Sequence, residues 1–358
     1  MTRQNENSHN PDKANQLHTM IYPWHEKNWK YFVQARTAKH LPHALLLVGE
    51  EGIGKNKLAE RIARSLMCIN PIEFEACGQC QSCKTYESGA NPDYTKIELA
   101  EDKQQISVDQ IRKLSEFLTY SRSFNTHRVA IINPIERMNN NAANSLLKSL
   151  EEPANNSVII LVASNLSKIL PTIKSRCQLI SVVSPTHQQA IDWFKENHAE
   201  IEHAELRLNM TAYKPLKALH ITDEDIQSRS SFLIDLNDIV RENISVVATA
   251  KKWEKANLES LLNWQITWVQ QLIKATECKD SSSTSTSTST STSTSSQNSN
   301  PETNTLHKSE QTLFATIKSD KHWELYQQLI KQKQYIHTSV NTLMFIENML
   351  LLWLEAGK

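Results

Sequence analysis

Four cysteines fall within sixteen residues, Cys68, Cys77, Cys80 and Cys83, spaced C-x8-C-x2-C-x2-C. Four thiolates so placed can fill every corner of a tetrahedral metal site, and Gly78 supplies the tight turn a metal knuckle needs. With all four corners taken by protein there is no position for water or substrate, so a metal here holds shape and performs no chemistry. Zinc suits this set better than an iron–sulfur cluster, whose runs close differently around their last cysteine. Free reduced cysteines are one alternative, and a redox pair at Cys80-Gln81-Ser82-Cys83 is another, although its neighbours supply no thioredoxin-like context. The remaining two of the six, Cys177 and Cys278, stand alone as ordinary thiols.

The second cluster is made of glycine. The chain holds six glycines, and three of them, Gly49, Gly52 and Gly54, lie within six residues. Gly49-Glu50-Glu51-Gly52-Ile53-Gly54-Lys55-Asn56 matches a phosphate-binding loop in its glycines and lysine, which would wrap backbone N–H groups around phosphates at a helix N-terminus. Its last position departs from the motif. A hydroxyl there ligates the magnesium that bridges the β- and γ-phosphates, and Asn56 offers only a neutral amide oxygen. The acidic pair that would hold that magnesium and polarise a water should end the third strand, where Asn133-Pro134 stands. Three readings stay open: a glycine turn that binds nothing, a loop that binds nucleotide weakly without turning it over, and an active ATPase with Asn56 and Glu136 as substitutes. Glu136 stands three residues beyond Asn133, and its reach to the phosphates is the doubtful point of the last reading.

A third candidate is Arg176, in Leu170-Pro171-Thr172-Ile173-Lys174-Ser175-Arg176-Cys177, at what should be the edge of a domain. On spacing alone, a surface arginine is ordinarily a solvated charge or a salt-bridge partner.

These residues need a scaffold to hold them. Short apolar runs at Ala44–Val48, Tyr94–Leu99, Val129–Ile132, Val158–Val162 and Leu179–Val183 alternate with helical segments, which predicts a parallel sheet buried on both faces. Asn139–Glu152 predicts a capped helix with Ala143, Leu146, Leu147 and Leu150 on its apolar face and Pro153 as its stop. The expected architecture is a P-loop-like α/β domain over residues 21–183 with the cysteine module at 68–83. A small helical domain at 184–222 and an all-helical domain at 223–358 follow. Residues 1–20 are expected to be a flexible start. Residues 279–305, built around an unbroken Ser/Thr tract at 281–296, are expected to be a disordered insertion, because such a tract has nothing to bury against its ordering entropy.

Composition narrows the function classes. At 358 residues the chain suits two or three ordinary domains. Lys+Arg and Asp+Glu both number 39, a formal net charge of zero, so bulk charge advertises neither a nucleic-acid nor a membrane surface. The polar start lacks a signal peptide's apolar run, and the greasiest stretch, 343–354, is short and contains Glu347 and Asn348, so a cytoplasmic protein without a membrane span is expected. A zinc-bearing nucleic-acid binder would need a basic stripe around residues 68–83, and none is present.

Several segments together resemble the clamp-loader branch of the AAA+ family. They are His43-Ala44-Leu45-Leu46-Leu47-Val48-Gly49, Asn91-Pro92-Asp93-Tyr94, Asn144-Ser145-Leu146-Leu147-Lys148-Ser149-Leu150-Glu151-Glu152-Pro153 and Ser175-Arg176-Cys177, in family order across residues 22–184. Tyr22-Pro23-Trp24, the missing acidic pair and Asn133-Pro134-Ile135-Glu136-Arg137-Met138 resemble the delta-prime family of that branch. The resemblance implies a three-domain subunit of a five-membered loader, with its last domain in a collar. ATP is then held by the neighbouring motor subunits, and Arg176 is an arginine finger offered in trans to one of them. It also implies a delta subunit as a further partner, the sliding clamp and primed DNA reached through the assembly, and a structural zinc. A working subunit's sensor arginine would fall where Leu216 stands. The expected function is thus a non-hydrolysing stator within a DNA polymerase holoenzyme, and the alternative is an ATP-hydrolysing motor-type subunit. Small residues often stand in that family where this chain has Tyr213 and Lys214, and beyond Ile221 the reading rests on helical pattern alone.

Overall fold

The five apolar runs form five parallel strands, β1 (Ala44–Val48), β2 (Tyr94–Ile97), β3 (Arg128–Ile132), β4 (Ser157–Ala163) and β5 (Gln178–Ser181), in the order β2-β3-β4-β1-β5. Pairing is in parallel register, with Leu46 facing Leu161 on one side and Leu179 on the other. β2 stops two residues short of its expected end, and β5 begins one residue early and stops at Ser181. Both are edge strands, where fewer neighbours hold the ladder. The computed structural model describes residues 22–100, 103–281, 310, 313, 316–336 and 341–357.

Side-chain alternation divides the central strands between two cores. Leu45, Leu47, Val129, Ile131, Val158 and Ile160 pack against α2 (Lys55–Met67) through Leu58, Ile62 and Leu66. Ala44, Leu46, Ala130, Ile132, Ile159 and Leu161 join the core that holds Ile111 and Leu114 of α4 (Val108–Thr119) and Leu146 and Leu150 of α5 (Asn140–Glu151). Covering both faces explains why β3 and β4 are apolar at nearly every position. The Asn139 side chain caps α5 by accepting from the Ala142 N–H. Of the face expected for α5, Ala143, Leu146 and Leu150 are buried and Leu147 is partly so. The same unit contains α1 (Glu26–Thr37), α3 (Gln81–Glu87), the single turn α6 (Pro171–Lys174) and α7 (His187–Asn197).

The described residues divide into two compact units. The first runs to Glu202 and includes Tyr213–Lys217; the second consists of His203–Ala212 and the chain from Ala218 onward. The segment 184–222 is therefore shared between them. Among its described residues the second unit is helical: α8 (Ala204–Met210), the end of α9 (Pro215–Ala218), α10 (Asp223–Val240), α11 (Val246–Trp253), α12 (Leu258–Ser281), α13 (His322–Gln332) and α14 (Thr342–Gly357). Its core is one cluster in which Phe232, Leu236, Trp268, Leu272, Ile346 and Trp353 are buried. The expected insertion at 279–305 starts inside α12, which carries residues 279–281; the rest of it, like residues 1–20, lies outside the described residues.

Candidate functional site

β1 runs straight into the glycine loop, and α2 begins at its end with Gly54 as N-cap in the left-handed region, φ 85°. That conformation favours glycine, and a Cβ there would lie 2.4 Å from the Tyr22 ring. At Gly49 a Cβ would lie 2.3 Å from the Val182 carbonyl oxygen, so only glycine lets β1 leave the sheet this close to the end of β5.

The loop's carbonyls are engaged by groups of this chain. Lys55 Nζ donates to the Glu50 carbonyl at 2.5 Å and to Ser164 Oγ at 3.1 Å. The Leu216 N–H donates to the Gly52 carbonyl at 3.1 Å. The Ile53 carbonyl accepts from Trp24 Nε1 at 2.8 Å and from His25 Nε2 at 2.8 Å, which places the imidazole proton on Nε2. Trp24 stacks on Tyr22 at 5.0 Å between ring centroids, and both meet Trp193 of α7 edge-on. Lys55 itself is 7% exposed, and burial pulls its pKa down to about 8 against the opposing pull of Glu136 and Glu51.

Glu136 lies near Ser164 and Lys55. Its Oε1 accepts from the Ser164 N–H at 2.8 Å, beside the hydroxyl that Lys55 donates to, and its Oε2 is buried with no hydrogen-bond partner among the described residues. Asn56 Oδ1 is likewise buried and unpartnered. At the end of β3 the Asn133 N–H donates to the Ile97 carbonyl and no carboxylate follows until Glu136.

Two further lysines arrive with α9 and the residues before it. Lys217 pairs with Glu51 at 2.6 Å and Lys214 with Glu50 at 3.3 Å, while Ser184 Oγ donates to Glu50 at 3.2 Å. The Lys217 hydrogen bond holds the Glu51 carboxyl below its ordinary range. The two acidic residues inside the loop are thus matched one-to-one by cations.

The four cysteines are brought together, with all sulfurs within 4.8 Å of one another. A tetrahedron with Zn–S bonds of about 2.3 Å has edges of about 3.8 Å, and Cys68 Sγ and Cys80 Sγ are 3.8 Å apart. Backbone N–H groups of Cys77, Cys80 and Cys83 point at the sulfurs of Cys68, Cys77 and Cys80, the pattern that stabilises thiolate. Burial acts to raise Cys80, but the N–H groups of Cys83 and Ile69 outweigh it and bring that thiol down to about 6. Gly78 adopts the left-handed turn, φ 71°. The residues fit a metal ion held by Cys68, Cys77, Cys80 and Cys83. Three arginines dock this module: Arg36 stacks on Phe74, Arg61 pairs with Glu75 while lying over Trp29, and Arg64 pairs with Glu87 while lying over Tyr86.

Arg176 lies between α6 and β5, remote from the loop. β5 runs parallel to β1, and Val182, one residue past its far end, is the residue beside Gly49. The four strand residues Gln178–Ser181, about 13 Å at ~3.3 Å each, lie between the turn that carries Arg176 and Val182. Its guanidinium pairs with Glu151 at 2.6 Å and donates to the Thr172 carbonyl at 3.0 Å. Cys177 is a lone thiol whose pKa burial pushes up to about 12.

Residues 24–186 match the family model described as "DNA polymerase III, delta subunit". The chain is 33% identical over 257 residues to the DNA polymerase III delta-prime subunit of Pseudomonas aeruginosa, spanning 71% of this chain and 77% of that protein. It is 30% identical over 259 residues to the delta-prime subunit of Haemophilus influenzae, spanning 72% and 78%. The chain belongs to the DNA polymerase III delta-prime family. A gamma subunit of Buchnera aphidicola from Schizaphis graminum matches at 35% identity, but over 135 residues, 38% of this chain and 36% of that one. These two delta-prime relatives are thus followed nearly twice as far along this chain as that gamma subunit.

Sequence reasoning missed the lysines at 214 and 217, the aromatic cover from Tyr22, Trp24 and Trp193, and the Glu151–Arg176 pair. Two adjacent glutamates inside a loop meant to hold phosphate were the signal for the lysines: such a loop needs cations nearby or it repels its ligand.

Proposed function

We propose that this chain is the delta-prime-like subunit of a DNA polymerase III clamp loader and turns over no ATP of its own. In this reading it stands in a ring of five with motor subunits and a delta subunit, and the assembly loads the sliding clamp on primed DNA. Residues 184–222 act as the lid and 223–358 as part of the collar. The zinc at Cys68, Cys77, Cys80 and Cys83 is structural, and ATP is held by the neighbours. The protein works in the cytoplasm; no helix among the described residues is long and apolar enough to cross a membrane.

One observation carries the reading. Arg176, in the chain's Ser-Arg-Cys segment, sits at the opposite end of β5 from its own glycine loop, which supports service to a phosphoryl group on another subunit and not on its own. Exposed Leu179 and Val183 continue the same edge and would pack against that subunit. Such an arginine in trans can be worth on the order of a thousandfold or more at the site it faces. The loop itself supports a passive role. Gly49, Gly52, Gly54 and Lys55 keep its shape, but its carbonyls and Lys55 are tied internally, Asn56 lacks the hydroxyl, and Leu216 offers only a backbone N–H.

Glu136 favours the rival reading, a motor-type ATPase, because its carboxylate lies beside Ser164 and Lys55. The deciding experiment is the clamp- and primed-DNA-stimulated ATPase of a loader reconstituted with this chain, compared with Arg176→Ala and with the chain alone. The stator reading expects a silent chain and a slowed Arg176→Ala assembly; turnover by the isolated chain, abolished by Lys55→Ala, would make it a motor.

A further inference from the structure

Glu151 is the last residue of α5, where the negative end of the helix dipole disfavours a carboxylate by about 0.3–1 kcal/mol. Glu152 follows with a second negative charge. A sequence choosing only for helix stability would place lysine or arginine there, and Lys148 in the same turn shows that cations are accommodated. The offsetting charge comes instead from another element: Arg176 Nη2 lies 2.6 Å from Glu151 Oε1. The other side of the guanidinium is held by α6, with Nη1 donating to the Thr172 carbonyl at 3.0 Å and to Ser175 Oγ at 3.4 Å.

The guanidinium is therefore gripped at both terminal nitrogens by two elements that are themselves fixed. α5 is buried along Ala142, Ala143, Leu146 and Leu150, and α6 is anchored by buried Ile173. An arginine has five N–H donors in a rigid fork, and with Nη1 donating twice and Nη2 in the ion pair, Nε–H is left for another acceptor. About a third of the side chain remains exposed for that purpose. Without the pair, a long exposed arginine samples many rotamers, and the entropy lost on ordering it would fall on the catalytic step.

We propose that Glu151 is a positioning residue for Arg176: it holds the guanidinium in one orientation at the subunit edge, so the arginine meets a neighbour's phosphoryl group already aligned. This rests on the reading of Arg176 as a finger acting in trans. Glu151 touches no nucleotide; it acts through the arginine's orientation.

The test uses the reconstituted loader with the full chain carrying Glu151→Gln, Glu151→Asp, Arg176→Ala or the Glu151→Gln/Arg176→Ala pair. Steady-state kcat and KM for ATP are measured with clamp and primed DNA, and thermal unfolding of each chain is followed separately. Glu151→Gln is expected to lower kcat about twofold to fivefold, the scale of one partly exposed charge pair, with KM unchanged within about twofold. Glu151→Asp should recover much of that loss, the double variant should be no slower than Arg176→Ala alone, and the unfolding temperature of Glu151→Gln should stay within about 2 °C of the parent. Full-rate Glu151→Gln beside a slowed Arg176→Ala overturns the positioning role and leaves the finger standing. A further slowing by Glu151→Gln in the Arg176→Ala background also overturns it, because the effect would not pass through the arginine. Wild-type rates with Arg176→Ala would remove the finger itself, and the positioning role with it.

Discussion

The Asp93 carboxylate accepts from Arg128 Nη2 at 2.7 Å, and the two side chains are 0% and 5% exposed. Asp93 immediately precedes β2 and Arg128 opens β3, so the pair fastens the starts of two neighbouring parallel strands. The rest of the carboxylate is spent on backbone N–H groups of Ser123, Phe124 and Asn125, which shape the turn into β3. Asn125 then donates to Asn91, and Asn91 donates to the Ser82 carbonyl in α3, so the network reaches the cysteine module.

Removing one partner of this pair leaves a charge buried without compensation. Asp93→Ala removes the counter-charge of Arg128, leaving it the Phe117 and Ser121 carbonyls, strands three N–H groups, and is expected to cost about 3–5 kcal/mol, read by urea denaturation. A loss below about 1 kcal/mol would mean the site is wetter and more adaptable than its burial indicates.

The cysteine module should carry about one zinc per chain, measured by elemental mass spectrometry. Cys80→Ser is expected to abolish that stoichiometry and expose the Arg61–Glu75 and Arg64–Glu87 region to trypsin, while Cys177→Ser, a thiol outside the cluster, retains the metal. Each kcal/mol lost by the metal-free chain would appear as about 2–4 °C in unfolding temperature. Full zinc occupancy in the Cys80→Ser protein would refute a four-thiolate site.

His25 predicts an acid sensitivity. Burial holds it neutral, with its pKa lowered from 6.5 to about 4 despite the Ile53 carbonyl that favours the cation. Between those values the unfolded chain binds a proton that the folded chain does not, so stability rises with pH across that window. It is complete above about pH 6.5 and is lost as pH falls towards 4, by roughly 3 kcal/mol for this group alone. His127 and His322, also lowered by burial, act in the same direction. Urea midpoints at pH 7 and pH 5 should separate clearly for the parent and less so for His25→Gln; parallel behaviour of the two proteins would exclude His25 as a source.

The sheet could be read in advance because a strand buried on both faces must be continuously apolar, as Ala44–Val48 and Val158–Val162 are. Asn139 and Pro153 marked the limits of α5 because caps and breakers act through adjacent backbone. The glycine loop was legible for the same reason: Gly54 answers a local demand on φ. What pairs with that loop was not legible. Glu51 and Lys217 are separated by 166 positions, and an exposed ion pair leaves no periodicity or compositional trace. The placement of Glu136 beside Ser164, on the 3-10 turn at Ile135–Arg137, could not be told from its offset along the chain. Glu151 could have been suspected, as an acid at a helix C-terminus is a local conflict that some other element must resolve.

The second unit holds a sharper test of burial. Arg229 is 1% exposed in α10, lies 4.9 Å from the Trp268 ring and pairs at 2.7 Å with Glu310, which also accepts from Trp268 Nε1 at 3.1 Å. Its Nε and Nη1 are buried without hydrogen-bond partners among the described residues, and burial lowers its pKa despite Glu310. Among the described residues, the guanidinium thus has a carboxylate at Nη2 and the Trp268 ring beside it, and no other compensation for its desolvation. Glu310→Ala should cost about 3–5 kcal/mol by leaving the cation unpaired, whereas Arg229→Met with Glu310→Leu should be neutral or stabilising, because packed apolar groups carry no desolvation penalty. Denaturation of the two single variants and the double completes the cycle. A double variant as unstable as Glu310→Ala would show that the ion pair contributes net stability in this core, and that the unfilled donors are served by groups the pairing alone does not reveal.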